Sequence, residues 1–252
     1  MSQLSQPSGR PPLVPPAPPI VAAGATEVEV SSRWIVRTLA SITAILLALH
    51  LAVVWSYHTG VSFPLRARLY MDAEANLPTF FSTALLLLAA LLLWLVGSRA
   101  GAGAPSRPWR VLSLVFLAIA ADEAGGFHEL LIDPLAAAFD LSGAFRFAWV
   151  VVGIAVVAVF AAAFLPFLLR LPPRTRRLFA TAAALYVGGA LGMEMVGASL
   201  FQEEGTPGRN MLPYMLAATV EELLEMVGVQ VFIYALLRHL RETAPLLDLR
   251  IR

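Results

Sequence analysis

Long apolar runs broken by short stretches of proline, glycine and arginine organise the chain. Six segments reach the roughly 20 residues that a helix needs to cross a bilayer: 34–56, 77–97, 109–131, 146–169, 177–200 and 212–238. The third and sixth qualify only if the acids inside them are tolerated. Breakers stand where connections are needed, at Gly60 and Pro64, Gly101 to Pro108, Pro172 and Pro173, and Gly205 to Pro207. No segment alternates with period two, which excludes sandwiches and βαβ units. The pattern predicts an all-α fold, a polytopic transmembrane helix bundle of about six spans occupying residues 31–241. Residues 1–30 carry the proline run Pro11 to Pro19 and no apolar period, so they read as a disordered, proline-rich cytoplasmic arm. The first apolar run begins near Trp34 and is long enough to span, so it reads as a signal anchor rather than a cleaved signal peptide. Residues 242–252 form a short cytoplasmic tail.

Composition narrows the class. The 252 residues are 58% hydrophobic and only 14% charged, against about 25% charged in a soluble domain. Without cysteine, disulfides, thiolate-bound metals and thiol nucleophiles are excluded. There is no lysine, and all 18 basic residues are arginine, which we attribute to a GC-rich genome. The placement of arginine matters more than the net charge, because short cytoplasmic loops collect basic residues. The amino-terminal arm, the second and fourth loops and the tail hold fourteen of them: Arg10, Arg33 and Arg37; Arg99, Arg107 and Arg110; Arg170, Arg174, Arg176 and Arg177; Arg238, Arg241, Arg250 and Arg252. The other loops hold four, Arg66, Arg68, Arg146 and Arg209. An even number of spans with both ends inside produces that split, and a multi-pass protein of a bacterial cytoplasmic membrane is expected. Its partner is the lipid bilayer, with a small ion or a lipid as substrate and no nucleic acid; the oligomeric state is not legible.

Acids inside the spans point to function. The third span contains Asp122, Glu123, His128 and Glu129 within eight residues, the fifth Glu194, and the sixth Glu221, Glu222 and Glu225. A charge at the centre of a membrane helix costs about 2.5 to 3.5 kcal/mol or more, so these groups must face the bundle interior and be protonated, paired, hydrated or bound to a cation. At about 1.5 Å per residue, all seven acids fall between the midplane and the outer interface, although their helices run in opposite directions. Glu221, Glu222 and Glu225 share one wall of a helix, and Asp122 and Glu129, seven apart, share one face. His128 points away from Asp122 on an ideal helix, and Gly125-Gly126 would let the backbone bend it round. His50, in the outer half of the first span, joins as a further candidate. Gly188 and Gly192 form a small-xxx-small face for close packing of a neighbour. Glu203 and Glu204 read as solvated outer surface.

The Asp-Glu then His-Glu pattern, the run Tyr186 to Glu194 and Glu221-Glu222-Leu223-Leu224-Glu225-Met226 resemble an uncharacterised family of bacterial polytopic membrane proteins. The resemblance covers nearly everything after residue 30 and implies no known activity. The membrane proteases of prenylated proteins carry a Glu-Glu pair followed by arginine, which is missing here. Carboxylate-bridged di-iron bundles use Glu-x-x-His pairs, a spacing found on neither acidic helix.

Three readings follow. A metal or cation site, with or without catalysis, would use Asp122, Glu123, His128, Glu129, Glu194, Glu221, Glu222 and Glu225 to hold a divalent ion such as Mn, Fe, Mg, Ca or Zn. A proton- or cation-coupled transporter or channel would use the same carboxylates as carriers, though no inverted repeat supports it. A structural or lipid-binding subunit would use them to tie helices together. Ser199 and Thr219 have no histidine beside them in sequence, and no hydrolase triad is assigned.

Overall fold

The computed structural model describes residues 31–99, 106–201 and 211–243. The proline-rich arm, residues 244–252 of the carboxy-terminal tail, Glu203 and Glu204 lie outside the described residues. Helices α1 (Ser32–Thr59), α2 (Arg66–Leu69), α3 (Leu77–Arg99), α4 (Arg107–Gly125), α5 (Ile132–Phe139) and α6 (Trp149–Arg170) are followed by one long helical run. That run comprises α7 (Pro173–Val187), a π-helical turn (Gly188–Met193) and α8 (Glu194–Leu200); α9 (Leu212–Thr243) closes the bundle. No strand occurs among the described residues. Four helical runs, α1, α3, α6 and α7 to α8, are long and apolar enough to cross a membrane. A fifth crossing is made if α4 and the Glu129–Phe139 segment, bent by 73° against it, count as one broken span.

Two departures from the six-span expectation have physical causes. The third segment does not run as one helix over 109–131, because α4 stops at Gly125 and Gly126 takes the left-handed conformation (φ 57°) that glycine adopts without strain. The last segment is a 32-residue helix, long enough to cross, yet Glu221, Glu222 and Glu225 interrupt its apolar run, and it is not among the helices apolar enough to span. It takes the centre of the bundle instead, packed against α1, α3, α7, the π turn and α8.

Two polar pairs set the antiparallel register of α1 against α9: His50 Nε2 to Thr219 Oγ1 at 2.8 Å, and Gln230 Nε2 donating to Thr43 Oγ1. Trp34 and Trp55, 64% and 66% exposed, stand 21 residues apart on α1, which is about 32 Å along a helix. That matches the roughly 30 Å hydrocarbon thickness between the aromatic belts of a membrane protein. Glu225 falls between the two polar pairs, level with the middle of this interval, and Glu221 and Glu222 lie toward Trp55.

The far end of the bundle is packed with aromatic side chains. Trp109 of α4 meets Phe167 of α6, Phe179 of α7 and His239 of α9, which brings together the helix ends that carry Arg107, Arg110, Arg170, Arg174 and Arg238. Between this end and the acids, Phe232 stacks on Phe116 and meets Phe179 at a tilt, beside Leu85, Leu93, Ile233 and Leu236.

Candidate functional site

Opposite the arginine-rich end, a cavity of about 170 Å³ opens between α3, α4, the π turn, α8 and α9. Asp122, Glu123, His128, Glu129, Glu194, Glu221, Glu222 and Glu225 all line it. Asp72 and Glu74, on the connection from α2 to α3, line it too, so nine carboxylates surround one space. Among the described residues the lining includes no arginine. Phe147, Trp149, Tyr186 and Tyr214 supply aromatic walls.

Local sequence explains each placement. The Gly125-Gly126 break swings His128 back over the end of α4, where Asp122 accepts two hydrogen bonds from it: backbone N to Oδ1 at 2.9 Å and ring Nδ1 to Oδ2 at 2.8 Å. The ring also packs on Trp149, with centroids 4.6 Å apart. With Nδ1 held by the carboxylate, Nε2 is the nitrogen left for a proton or a ligand. A continuous helix would have placed Asp122 and Glu129 on one face; after the break they line the cavity from opposite sides of the turn.

The π turn carries Gly188, Gly189 and Gly192 and delivers Glu194 to the cavity, where Trp149 Nε1 donates to its Oε1 at 2.8 Å. Single π turns inside α-helices recur at functional sites. Close packing here rests on a different glycine from the expected pair. A Cβ on Gly189 would lie 2.8 Å from the Glu221 carbonyl oxygen and 2.9 Å from Glu225 Cγ, whereas Gly188 and Gly192 have nothing within 4 Å. Gly228 of α9 answers Gly189, since its Cβ would lie 2.8 Å from the Tyr186 nitrogen. The two glycines let α9 sit flush against the π turn and present its glutamates to the cavity.

Nothing in the sequence of the connection after α2 marks Asp72 or Glu74 as part of a site. Asn76 pins this connection: the Asn76 Nδ2 donates to the Tyr70 carbonyl at 2.6 Å, and its Oδ1 caps α3 by accepting from Thr79 N at 3.0 Å. Tyr70 and Tyr214 then donate to Asp72 at 3.1 and 3.0 Å. Burial pushes the Asp72 carboxyl up to about 6; the two tyrosine hydroxyls oppose the shift, while Glu194 and Glu129 add to it. Burial, followed by the charge of Glu129, also raises Glu74. Glu74 and Glu129 face each other across Gly126, both carboxyls within about 3.7 Å of where its Cβ would stand.

Deeper in, the Glu194 and Glu221 carboxyl groups come within hydrogen-bonding reach of each other. Two carboxylates at that separation coexist only with a proton or a cation between them. Glu222, Glu225 and the Tyr186 hydroxyl line the cavity without a hydrogen-bond partner among the described residues.

His50 does not line the cavity. It is fully buried with both ring nitrogens engaged: Nδ1 accepts from the Met71 backbone N–H at 2.9 Å, which leaves Nε2 to donate to Thr219 Oγ1. The Thr219 hydroxyl in turn donates a hydrogen bond to the Met215 carbonyl at 2.6 Å. A histidine whose proton already points at the hydroxyl cannot act as a base toward it, so this pair is not an activated nucleophile.

Oxygen donors of this kind suit hard divalent cations. Their arrangement does not: among the described residues no group of three or more His, Asp or Glu side chains is placed to hold a metal ion. The carboxylates are spread along the cavity instead of converging on one point. The sequence profile of a domain of unknown function (DUF8692) matches residues 39–240. No curated protein and no solved structure matches the chain.

Proposed function

We propose that this chain, which belongs to the DUF8692 family of unknown function, is an integral membrane protein that binds a cation in an acidic chamber open to the outer side of the membrane. The observation that carries the reading is the lining: nine carboxylates around one cavity, with His128 the single basic side chain among its described lining residues. Unscreened, that many like charges repel strongly at the effective dielectric of a protein interior. Protons and a bound cation relieve the repulsion together, the cation offsetting charge that protons would otherwise have to remove. The orientation follows from the arginines at the opposite end, which the cytoplasmic side retains.

Asp122, Glu123, His128, Glu129, Glu194, Glu221, Glu222 and Glu225 are the binding groups, joined by Asp72, with Glu74 at the rim. A divalent ion would require several of these side chains to rotate inward before three could ligate it. The second reading, a proton- or cation-coupled transporter, is favoured by the Glu194–Glu221 contact, where a proton can be held and released. Conduction straight through would have to pass the Phe116–Phe232–Phe179 cluster, so transport requires a second conformation. The test is titration calorimetry and element analysis of the purified full chain beside Glu222→Gln and Glu225→Gln. Wild type is expected to bind a cation that both variants lose; equal behaviour of all three would refute the reading.

A further inference from the structure

We infer that the ligand of this chamber is an extended organic polycation, an aliphatic amine with two or more ammonium groups, rather than a metal ion. The inference rests on the cation-binding reading above and deepens it. Three observations favour it.

The first is the mismatch between donors and geometry. A metal ion gathers its ligands to about 2 to 2.6 Å, and no three acidic or imidazole side chains gather that way among the described residues. Distributed carboxylates match distributed positive charge. Along α9 alone the lining runs from Tyr214 to Glu225, 11 residues or about 16 Å, and the rim at Glu74 and Glu129 carries it further. Each ammonium group has three hydrogens to donate and no acceptor, so a chain of them can satisfy successive acids: Glu74 and Glu129 at the mouth, Asp72 and Glu194 next, Glu222 and Glu225 at the inner end.

The second observation is the unmet demand at that inner end. Glu222 and Glu225 line the cavity and receive no hydrogen bond from any described residue. Both are half-buried and face the open cavity, so their donors are whatever fills it, and an ammonium group there takes the place of water.

The third is the aromatic wall. Phe147, Trp149, Tyr186 and Tyr214 share the lining with the acids. A hydrated metal ion has no use for four rings, whereas an alkylammonium gains from them twice: the rings attract its charged ends and shield its methylene segments from water. Acid and aromatic side chains around one space are the recognition chemistry of an amine.

The probe is spermidine, with calcium and manganese(II) as competitors, titrated against the full chain in nanodiscs of zwitterionic lipid. Wild type is expected to bind spermidine saturably. Glu225→Gln should lower the affinity at least about tenfold. Trp149→Leu should lower it about 5- to 30-fold through the lost cation–π contact, and Trp149→Phe should recover most of that. The recovery separates ring contact from a merely structural role of Trp149. Binding of calcium or manganese without binding of spermidine overturns the amine assignment and leaves the cation chamber standing. Binding of neither overturns both. Spermidine binding unchanged in Glu225→Gln and Trp149→Leu is adsorption to the surface and overturns the assignment as well.

Discussion

Four glycines within one helix pair separate packing from spare flexibility. A Cβ on Gly189 would stand 2.8 Å from the Glu221 carbonyl oxygen, 2.9 Å from Glu225 Cγ and 3.2 Å from Leu224 Cβ. Ordinary carbon contacts begin near 3.5 Å, so alanine there requires α9 to retreat by about half an ångström, and the nearest atom is backbone and cannot rotate aside. Gly228→Ala meets Tyr186 N at 2.8 Å and the Ala182 carbonyl at 3.1 Å, two backbone atoms at once. Overpacking of this kind costs about 1 to 3 kcal/mol. Gly188 and Gly192 have nothing within 4 Å, and their replacement by alanine removes only the chain entropy of glycine, a gain of about 0.5 to 1 kcal/mol within a helix. For a chain of this size 1 kcal/mol corresponds to about 2 to 4 °C. Thermal unfolding of the four detergent-purified variants, followed by circular dichroism, should show Gly189→Ala and Gly228→Ala melting several degrees below wild type, with Gly188→Ala and Gly192→Ala at or above it. Equal melting of the two pairs would refute the close packing of α9 on the π turn.

Asp72 predicts a pH dependence. Its folded-state value of about 6 lies above the ordinary 3.8, so the stability that comes with its proton is complete below about pH 4 and is lost as the pH rises through about 6. Two units correspond to about 3 kcal/mol before any screening by water in the cavity. Without multivalent cations, Asp72→Asn should therefore match wild type at pH 4 and melt higher at pH 8; a difference independent of pH contradicts the burial of Asp72. Leu130 and Phe139, 69% and 67% exposed, lie near the two ends of the Glu129–Phe139 segment that turns off α4, and such exposure suits the lipid interface. The natural absence of cysteine allows single-site labelling: a polarity-sensitive dye at Leu130→Cys or Phe139→Cys should be quenched by spin-labelled lipid in liposomes and one at Asp140→Cys much less, whereas equal quenching would place the whole segment on one side of the interface.

The apolar runs made most of this architecture legible, because a span of about 20 residues leaves few alternatives to a helix. The eight residues singled out as a site do line one cavity, and the reason was equally simple: ionisable groups are too expensive to leave facing lipid. Helix periodicity misled where the helix was not regular. Gly125-Gly126 ends α4, so the face shared by Asp122 and Glu129 is replaced by a turn; the π turn adds a residue per turn and moves the packing role from Gly188 and Gly192 to Gly189. Asp72 and Glu74 escaped notice because acids in a loop look solvated, and only the Asn76 cap and the Tyr70 and Tyr214 hydroxyls turn them inward. His50 carried no mark in sequence to separate a buried hydrogen-bonded ring from a ligand.

The central claim, that the acidic chamber accommodates a cation, is tested most directly by protection of its own carboxyls. An apolar carbodiimide attacks carboxyl groups within membranes, and mass spectrometry of the digested protein reports the modified positions. Labelling of Glu222 and Glu225 in the full chain should be strong without added cation and should fall progressively as spermidine, calcium or manganese is titrated, while Glu242, exposed at the opposite end, responds to none. Labelling of Glu222 and Glu225 that stays constant across all three cations would contradict the account.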